Sequence, residues 1–313
     1  MSVKIMPLDV CDVSSQNKYE IIKYLLSCAP HSRNDAADAI SLSSVTVGKI
    51  ASSMLCRNIL IGERETGARG RSTELLCASP SLSVLSIGFW GTSMSASFVT
   101  LSGIEKTILK HLRNDSFDYA EDMCVFLASV QRKIANMTDA DIIGVFVTYS
   151  DKSPKQLGVD VGMLLGIEPD VIISAEEALG IAFGHRKECE IALHISIDYN
   201  VKARLFVNGM NISKNACRYT PAEQNEYAIA LELARYLAEL FKTVIPDSIA
   251  IDSETVTADK RFFELISNEA SRTAKLEADS FPAIIDQRNI RLTSEAALNV
   301  ILDLYAKKLA GIN

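Results

Sequence analysis

Ser43, Ser44, Val45, Thr46 and Lys49 open a stretch with the apolar spacing of a helix, and Arg64, Arg69, Gly70 and Arg71 follow in a segment with little to bury. Hydroxyls, an ammonium and guanidiniums at such spacing suit hydrogen bonds and charge contacts to the phosphates and base edges of a nucleic acid. Opposite the apolar positions Val47, Ile50 and Leu55, the helical wheel places Val45, Thr46, Lys49, Ser52 and Ser53. Val45 has no burial reason on that outer side, but against a thymine methyl it would have one. Gly67 and Gly70 would let an arginine-bearing turn come close to a backbone or enter a minor groove, where negative potential concentrates. Arg33, at the start of the preceding predicted helix, belongs to the same candidate surface.

Other chemistries find less support. The seven cysteines, at 11, 28, 56, 77, 124, 189 and 217, are odd in number and never form C-x-x-C. That spacing predicts reduced thiols rather than disulfides or a thiolate zinc site. Four histidines occur (His31, His111, His185, His194), none four residues from another, so neither a metal nor a cofactor is expected.

Charge singles out one region. The 313 residues carry a net charge of −7, yet residues 1–80 hold nine Lys/Arg against eight Asp/Glu, a net of +1, leaving 23 against 31, or −8, for the rest. An acidic body repels nucleic acid, while a local arginine cluster can still attract it. The length predicts two or three domains, each able to bury a core. No run of about 18 apolar residues exists, so no membrane span is expected. The opening "MSVKIMPLDV" lacks the basic-then-apolar pattern of a secretion signal, which predicts a cytoplasmic location.

Periodicity supplies the elements that must position these groups. "NKYEIIKYLLS" reads as a helix capped by Asn17 with Glu20, and "SRNDAADAI" as a second capped by Ser32 with Asp35. "SSVTVGKIASSMLCRN" buries Val47, Ile50, Ala51, Met54 and Leu55, and "ILIGERETGARGRSTELL" reads as strand, turn, strand. Three helices and a hairpin in that order predict a winged helix-turn-helix. "CASPSLS" marks the boundary behind it. Beyond it, "SVLSIGFW", "SMSASFVTL", "DIIGVFVTY", "IALHISIDYN", "ARLFVNGMNI" and "DSIAID" read as strands, with Asn208-Gly209 as a hairpin turn. "VIISAEEALGIAFG" reads as a strand passing into a helix. "NEYAIALELARYLAELFKTVI", ended by Pro246, and "SEAALNVILDLYAKKLA" read as covering helices. No internal repeat is visible.

These motifs resemble the ROK family of repressors and sugar kinases, in its regulator branch. "NKYEIIKYLLS", "SRNDAADAISLSSVTVGKIASSML" and "GARGRSTELL" match its three helices and wing, and "GRSTELL" resembles the usual G-R-x-x-x-L wing ending. The resemblance implies an α+β multidomain chain: a winged helix-turn-helix over 1–80, then a two-lobed α/β domain of the actin/hexokinase-like, ribonuclease H-like type over 81–313. Its lobes would cover about 81–180 with a C-terminal helix over 293–311, and about 185–290. The chain departs from the family where kinase chemistry sits. For the D-x-G-x-T phosphate loop, "SIGFWGTS" offers Gly88 and Trp90 and keeps Thr92. For the glycine-rich second loop it has Asp198, Asn200, Lys202 and Arg204, and Cys217 stands without the zinc loop's other cysteines. Glu176 or Glu177 falls on the segment of the family's catalytic Asp.

Three functions therefore stay in view. The first is a sequence-specific DNA-binding transcriptional regulator, a repressor-type homodimer or homotetramer without kinase activity. Its partners would be a double-stranded operator, contacted by Arg33, Ser43, Ser44, Val45, Thr46, Lys49, Arg64, Arg69, Gly70 and Arg71, and a sugar or sugar-phosphate effector near Thr92, Glu176 and Glu177. The second is an ATP-dependent sugar kinase, and the third a winged-helix protein-interaction module.

Overall fold

The computed structural model describes residues 6–10, 13–27, 30–66, 72–90, 93–113, 118–137, 140–150, 152–185, 189–197, 201–213, 217–219, 225–253, 260–275, 281–286 and 289–312. The chain divides into two compact units, 1–174 with 294–313, and 175–293.

The first unit begins with three helices: α1 (Ser15–Leu26), α2 (Arg33–Ala39) and α3 (Ser44–Cys56). Ser14 caps α1, its hydroxyl accepting from the Asn17 amide, so Asn17 lies inside the helix rather than at its cap. The expected capping box at Ser32 and Asp35 is present in full. Ser41 takes a φ of 55° in the turn between α2 and α3, where the Leu42 amide donates to the Ala37 carbonyl. Ile21, Ile22, Leu25, Leu26, Ala36, Ala37, Val47, Ile50, Ala51 and Met54 are buried. Leu55, expected inside, is only half-buried, because it lies at the edge of the stripe, which ends at Met54. Strands β1 (Leu60–Thr66) and β2 (Ser72–Ala78) form an antiparallel hairpin, Leu60 opposite Ala78 and Thr66 opposite Ser72. His31 bridges to Leu76 as a short third strand, which periodicity could not show because only one residue takes part.

The rest of this unit is a five-stranded sheet: β3 (Leu82–Phe89), β4 (Ser93–Thr100), β5 (Glu105–Leu112), β6 (Asp141–Tyr149) and β7 (Val171–Ser174), in the order β5-β4-β3-β6-β7. β3, β4 and β5 are antiparallel neighbours, while β6 and β7 run parallel to β3. Helix α4 (Tyr119–Ala135) lays Met123, Phe126, Leu127 and Val130 on this sheet, and α5 (Val161–Leu165) precedes β7.

The second unit contains α6 (Ala175–Gly184), β8 (Ile191–Ile197), β9 (Val201–Val207), β10 (Met210–Asn211), β11 (Cys217–Tyr219), α7 (Glu226–Leu240), β12 (Ser248–Ser253), α8 (Lys260–Ala274) and β13 (Ala283–Asp286). Its sheet runs β10-β9-β8-β12-β13, with β11 also on β9. Both sheets thus share one wiring: three antiparallel strands, a helix, a parallel strand, a helix, and a second parallel strand. This repeat of topology has no counterpart in the sequence, because different apolar residues fill equivalent core positions. Leu193, Ile195 and Ile197 pack with Ile229, Leu233, Leu237 and Ile266. α7 ends at Leu240 with Phe241 as its C-cap, so Pro246 lies beyond the helix and does not end it. Asn208 and Gly209 both have positive φ, 49° and 76°, as the expected turn requires.

Helix α9 (Asn289–Ala310) closes the chain, beginning before the predicted Ser294. Within the first unit it backs the sheet so closely that a Cβ on Gly144 would lie 2.5 Å from Ile301 Cγ2. It also carries Asp303, which accepts from Lys23 Nζ at 2.8 Å, from the Tyr19 hydroxyl, and from Lys307 Nζ at 2.8 Å. Burial alone would raise the Asp303 pKa; the hydrogen bonds from Lys23, Lys307 and Tyr19 overcome it and hold the carboxyl far below its usual range. Lys23 and Lys307 are raised by the same bonds. Nearby, the Leu8 amide donates to the Leu309 carbonyl at 2.8 Å, and Arg57, the α3 C-cap, donates to the carbonyls of Met6 and Pro7 at 2.8 and 2.9 Å.

Because the folded Asp303 pKa is depressed, its stabilisation is complete above the unfolded value of 3.8 and is lost as pH falls through the folded value. Asp303→Asn should therefore lower the stability of the full chain at pH 7 by about 1 kcal/mol, discounted for partial exposure. The difference from the parent should shrink in thermal melts below pH ~4. Equal melts at pH 7 would show that this cluster holds nothing.

Candidate nucleic-acid interface

The face of α3 turned away from its buried residues is built around a capped first turn. Ser43 is the N-cap: its hydroxyl accepts from the Thr46 amide at 3.1 Å and lies 2.8 Å from Thr46 Oγ1. Ser43 and Thr46 are thereby engaged with each other, which fixes the backbone of the turn that carries Ser44 and Val45. Ser44, Lys49 and Ser52 are exposed, and Val45 is 68% exposed, one of the most exposed large apolar side chains among the described residues. That leaves an apolar side chain and a lysine side by side on a rigid helix whose other face is fully buried.

The basic residues divide. Arg33 Nη2 lies 3.1 Å from Glu74 Oε2, so its guanidinium braces α2 against β2, and its Nε is buried with no hydrogen-bond partner among the described residues. Arg64 is exposed on β1, directly across from Glu74. Arg69, Gly70 and Arg71 lie outside the described residues, as does Thr92. The structure therefore brings Ser44, Val45, Lys49 and the Ser43–Thr46 cap onto one face, and gives Arg33 an internal partner. Sequence reasoning missed Arg57 and the Tyr19–Lys23–Asp303 contact, which tie α3 and α1 to the body. Lys23 lies one turn after Tyr19 on α1, but its partner is 280 residues away, and no local pattern reports that pairing.

In the second unit, Glu176 accepts a hydrogen bond from Asn211 Nδ2, and Arg204 Nε stands 3.8 Å from Glu176 Oε2. Glu177 is exposed on the same helix. α6 meets the Asn208-Gly209 turn backbone to backbone, since a Cβ on Gly180 would lie 2.4 Å from the Gly209 carbonyl oxygen. No group of three or more His, Cys, Asp or Glu that could hold a metal ion occurs among the described residues. Cys56, Cys77, Cys124 and Cys189 are free thiols. Among the described residues no helix is long and apolar enough to cross a membrane.

Comparison with known proteins supplies a fold and little else. No protein-family model matches the sequence, and no curated protein does. A solved ROK family transcriptional regulator, a homologue of the E. coli MLC protein, superposes with a TM-score of 0.61 at 13% identity, covering 95% of this chain and 99% of its own. This chain has the fold of a ROK family transcriptional regulator. A ROK family glucokinase from Streptomyces griseus, in complex with glucose and AMPPNP, gives a TM-score of 0.49 at 9% identity over 69% of this chain and 98% of its own. A polyphosphate/ATP-glucomannokinase from Arthrobacter sp. strain KM gives 0.47 at 16% identity over 70% and 98%.

At the place where the ROK resemblance expects the first phosphate loop, Trp90 folds back over β3. A Cβ on Gly88 would lie 2.7 Å from its indole ring, and the Trp90 carbonyl accepts from the Tyr119 hydroxyl at 3.3 Å. The indole is buried, and its Nε1 has no hydrogen-bond partner among the described residues. A bulky apolar ring thus lies against the backbone at the end of β3.

The capped turn yields a stability prediction. Ser43→Ala should cost about 1 kcal/mol in urea unfolding of the full chain. Val45→Ser should change stability by less than about 0.5 kcal/mol, because the side chain is largely exposed. A large loss at Val45 would mean that this face is buried in the protein's own structure.

Proposed function

We propose that this chain is a sequence-specific DNA-binding transcriptional regulator whose residues 1–80 dock on an operator duplex. The observation that carries the reading is the outer face of α3: exposed Ser44, Val45, Lys49 and Ser52 on a helix rigidly capped by Ser43. In a helix-turn-helix, the N-terminal part of this helix contacts base edges in the major groove. Val45 would meet a thymine methyl, Ser44 and Lys49 base edges or phosphates. Arg64, Arg69 and Arg71 would line the neighbouring backbone, with Gly70 allowing close approach. Arg33 and Thr46 act by bracing and capping.

The α/β body, residues 81–313, serves in this reading to pair chains into a homodimer or homotetramer and to sense a carbohydrate-type effector, with Thr92, Glu176 and Glu177 as its candidate contacts. Dimer geometry would set half-site spacing, and the effector would act by changing it. Trp90 over Gly88 supports a regulator rather than a kinase, since phosphoryl transfer depends on cradled phosphates.

The test is a duplex selected from a random-core library by the full chain, followed by a salt titration. Affinity should fall steeply with ionic strength, and Lys49→Ala and Arg71→Ala should each weaken binding about five- to tenfold, at unchanged Tm and with a slope shallower by about one. If both variants bind like the parent, the assigned surface is wrong. Turnover of ATP with any common hexose in a coupled assay would replace this reading with the kinase one.

A further inference from the structure

α3 contains a glycine, Gly48, in its middle, where glycine is the costliest residue after proline. At several other described glycines the fold itself accounts for a missing side chain. Gly144 yields to Ile301, Gly180 to the Gly209 carbonyl and Gly88 to Trp90, while Gly103, Gly158 and Gly166 have positive φ. Gly48 differs from all of these. Its backbone is helical, and a Cβ built on it would meet no heavy atom within 4 Å. Nothing among the described residues requires the side chain to be absent, and the helix would be firmer with alanine.

Its position on the helix supplies the reason. Gly48 lies one turn after Val45, beside Lys49 and one turn before Ser52, on the side away from buried Val47, Ile50, Ala51 and Met54. The result is a notch one methyl deep in the exposed face, with the Val45 isopropyl group on its rim. On major-groove base edges the one projecting apolar group is the C5 methyl of thymine; cytosine, adenine and guanine carry no methyl there. Resting on the DNA-binding reading above, we propose that Gly48 is the point of closest approach between α3 and the duplex, and that a thymine methyl seats in the notch beside Val45. Gly48 would then be a specificity-determining position. A methyl added there would hold the helix off the groove floor and displace the thymine methyl.

The experiment uses the full chain and a duplex enriched by the parent from a random-core library. Gly48→Ala should raise Tm, by about 2 °C, because it removes a helix-interior glycine. It should nevertheless bind the selected duplex about tenfold or more weakly, with an unchanged salt slope, since no charge is altered. Replacing the operator thymines one at a time by deoxyuridine should reveal one position whose lost methyl weakens the parent about threefold and Gly48→Ala not at all. Equal binding by Gly48→Ala and the parent would overturn the proposal while leaving the DNA-binding reading intact. Weaker binding with no thymine whose methyl loss separates the two proteins would overturn it as well. Failure of the parent to enrich any duplex would instead remove the DNA-binding reading, and this inference with it.

Discussion

Asp303 is the carboxylate that joins the first helix of the chain to the last. It sits on the C-terminal helix and accepts from Tyr19 and Lys23 of the first helix and from Lys307 of its own. Two ammonium groups and a phenol around one partly buried carboxylate make a directional contact, because each donor has a fixed place and no donor can leave without exposing the others' charge. Beside it the Leu8 amide donates to the Leu309 carbonyl, and the Arg57 guanidinium donates to the Met6 and Pro7 carbonyls. Arg57 caps α3, so the helix that carries Val45 and Lys49 is held at its C-terminus by the segment that pairs with the last helix.

The two α/β sheets show how a wiring plan can persist without a sequence pattern. Each core needs apolar residues alternating on strands and striped on helices, and many residues satisfy that requirement. What stays specific is where backbones must touch. Gly144 beneath Ile301 and Gly180 against Gly209 are places where any Cβ would collide with a neighbour. Trp90 makes the opposite case, a large buried ring laid over Gly88 at the end of β3, where any Cβ on the glycine would meet the indole.

The amphipathic elements were readable because their signal is local. α3 follows its apolar stripe, Ser32 and Asp35 form the expected box, and Asn208-Gly209 makes the expected turn. α4 and α8 carry comparable stripes, but neither adjoins a motif that called attention to it. α1 is capped by Ser14 instead of Asn17 because a serine hydroxyl there reaches the Asn17 amide, and both residue types are good caps. α7 stops at Leu240, short of Pro246, where the chain turns toward β12. In the candidate site, exposure of Ser44, Val45 and Lys49 followed from helical periodicity alone. The inward partner of Arg33 did not, since Glu74 reaches it only after the hairpin folds back beside α2.

By itself the sequence determined the three-helices-then-hairpin order of its first part, the face of α3 that avoids the core, and the residue types available on it, because spacing along a chain dictates side-chain direction in a helix or strand. Only tertiary structure decided which charged groups are spent internally, how Trp90 is laid over β3, and that nothing among the described residues stands against Gly48. Those outcomes depend on distances between residues tens or hundreds of positions apart, and such distances exist only once packing has brought the segments together.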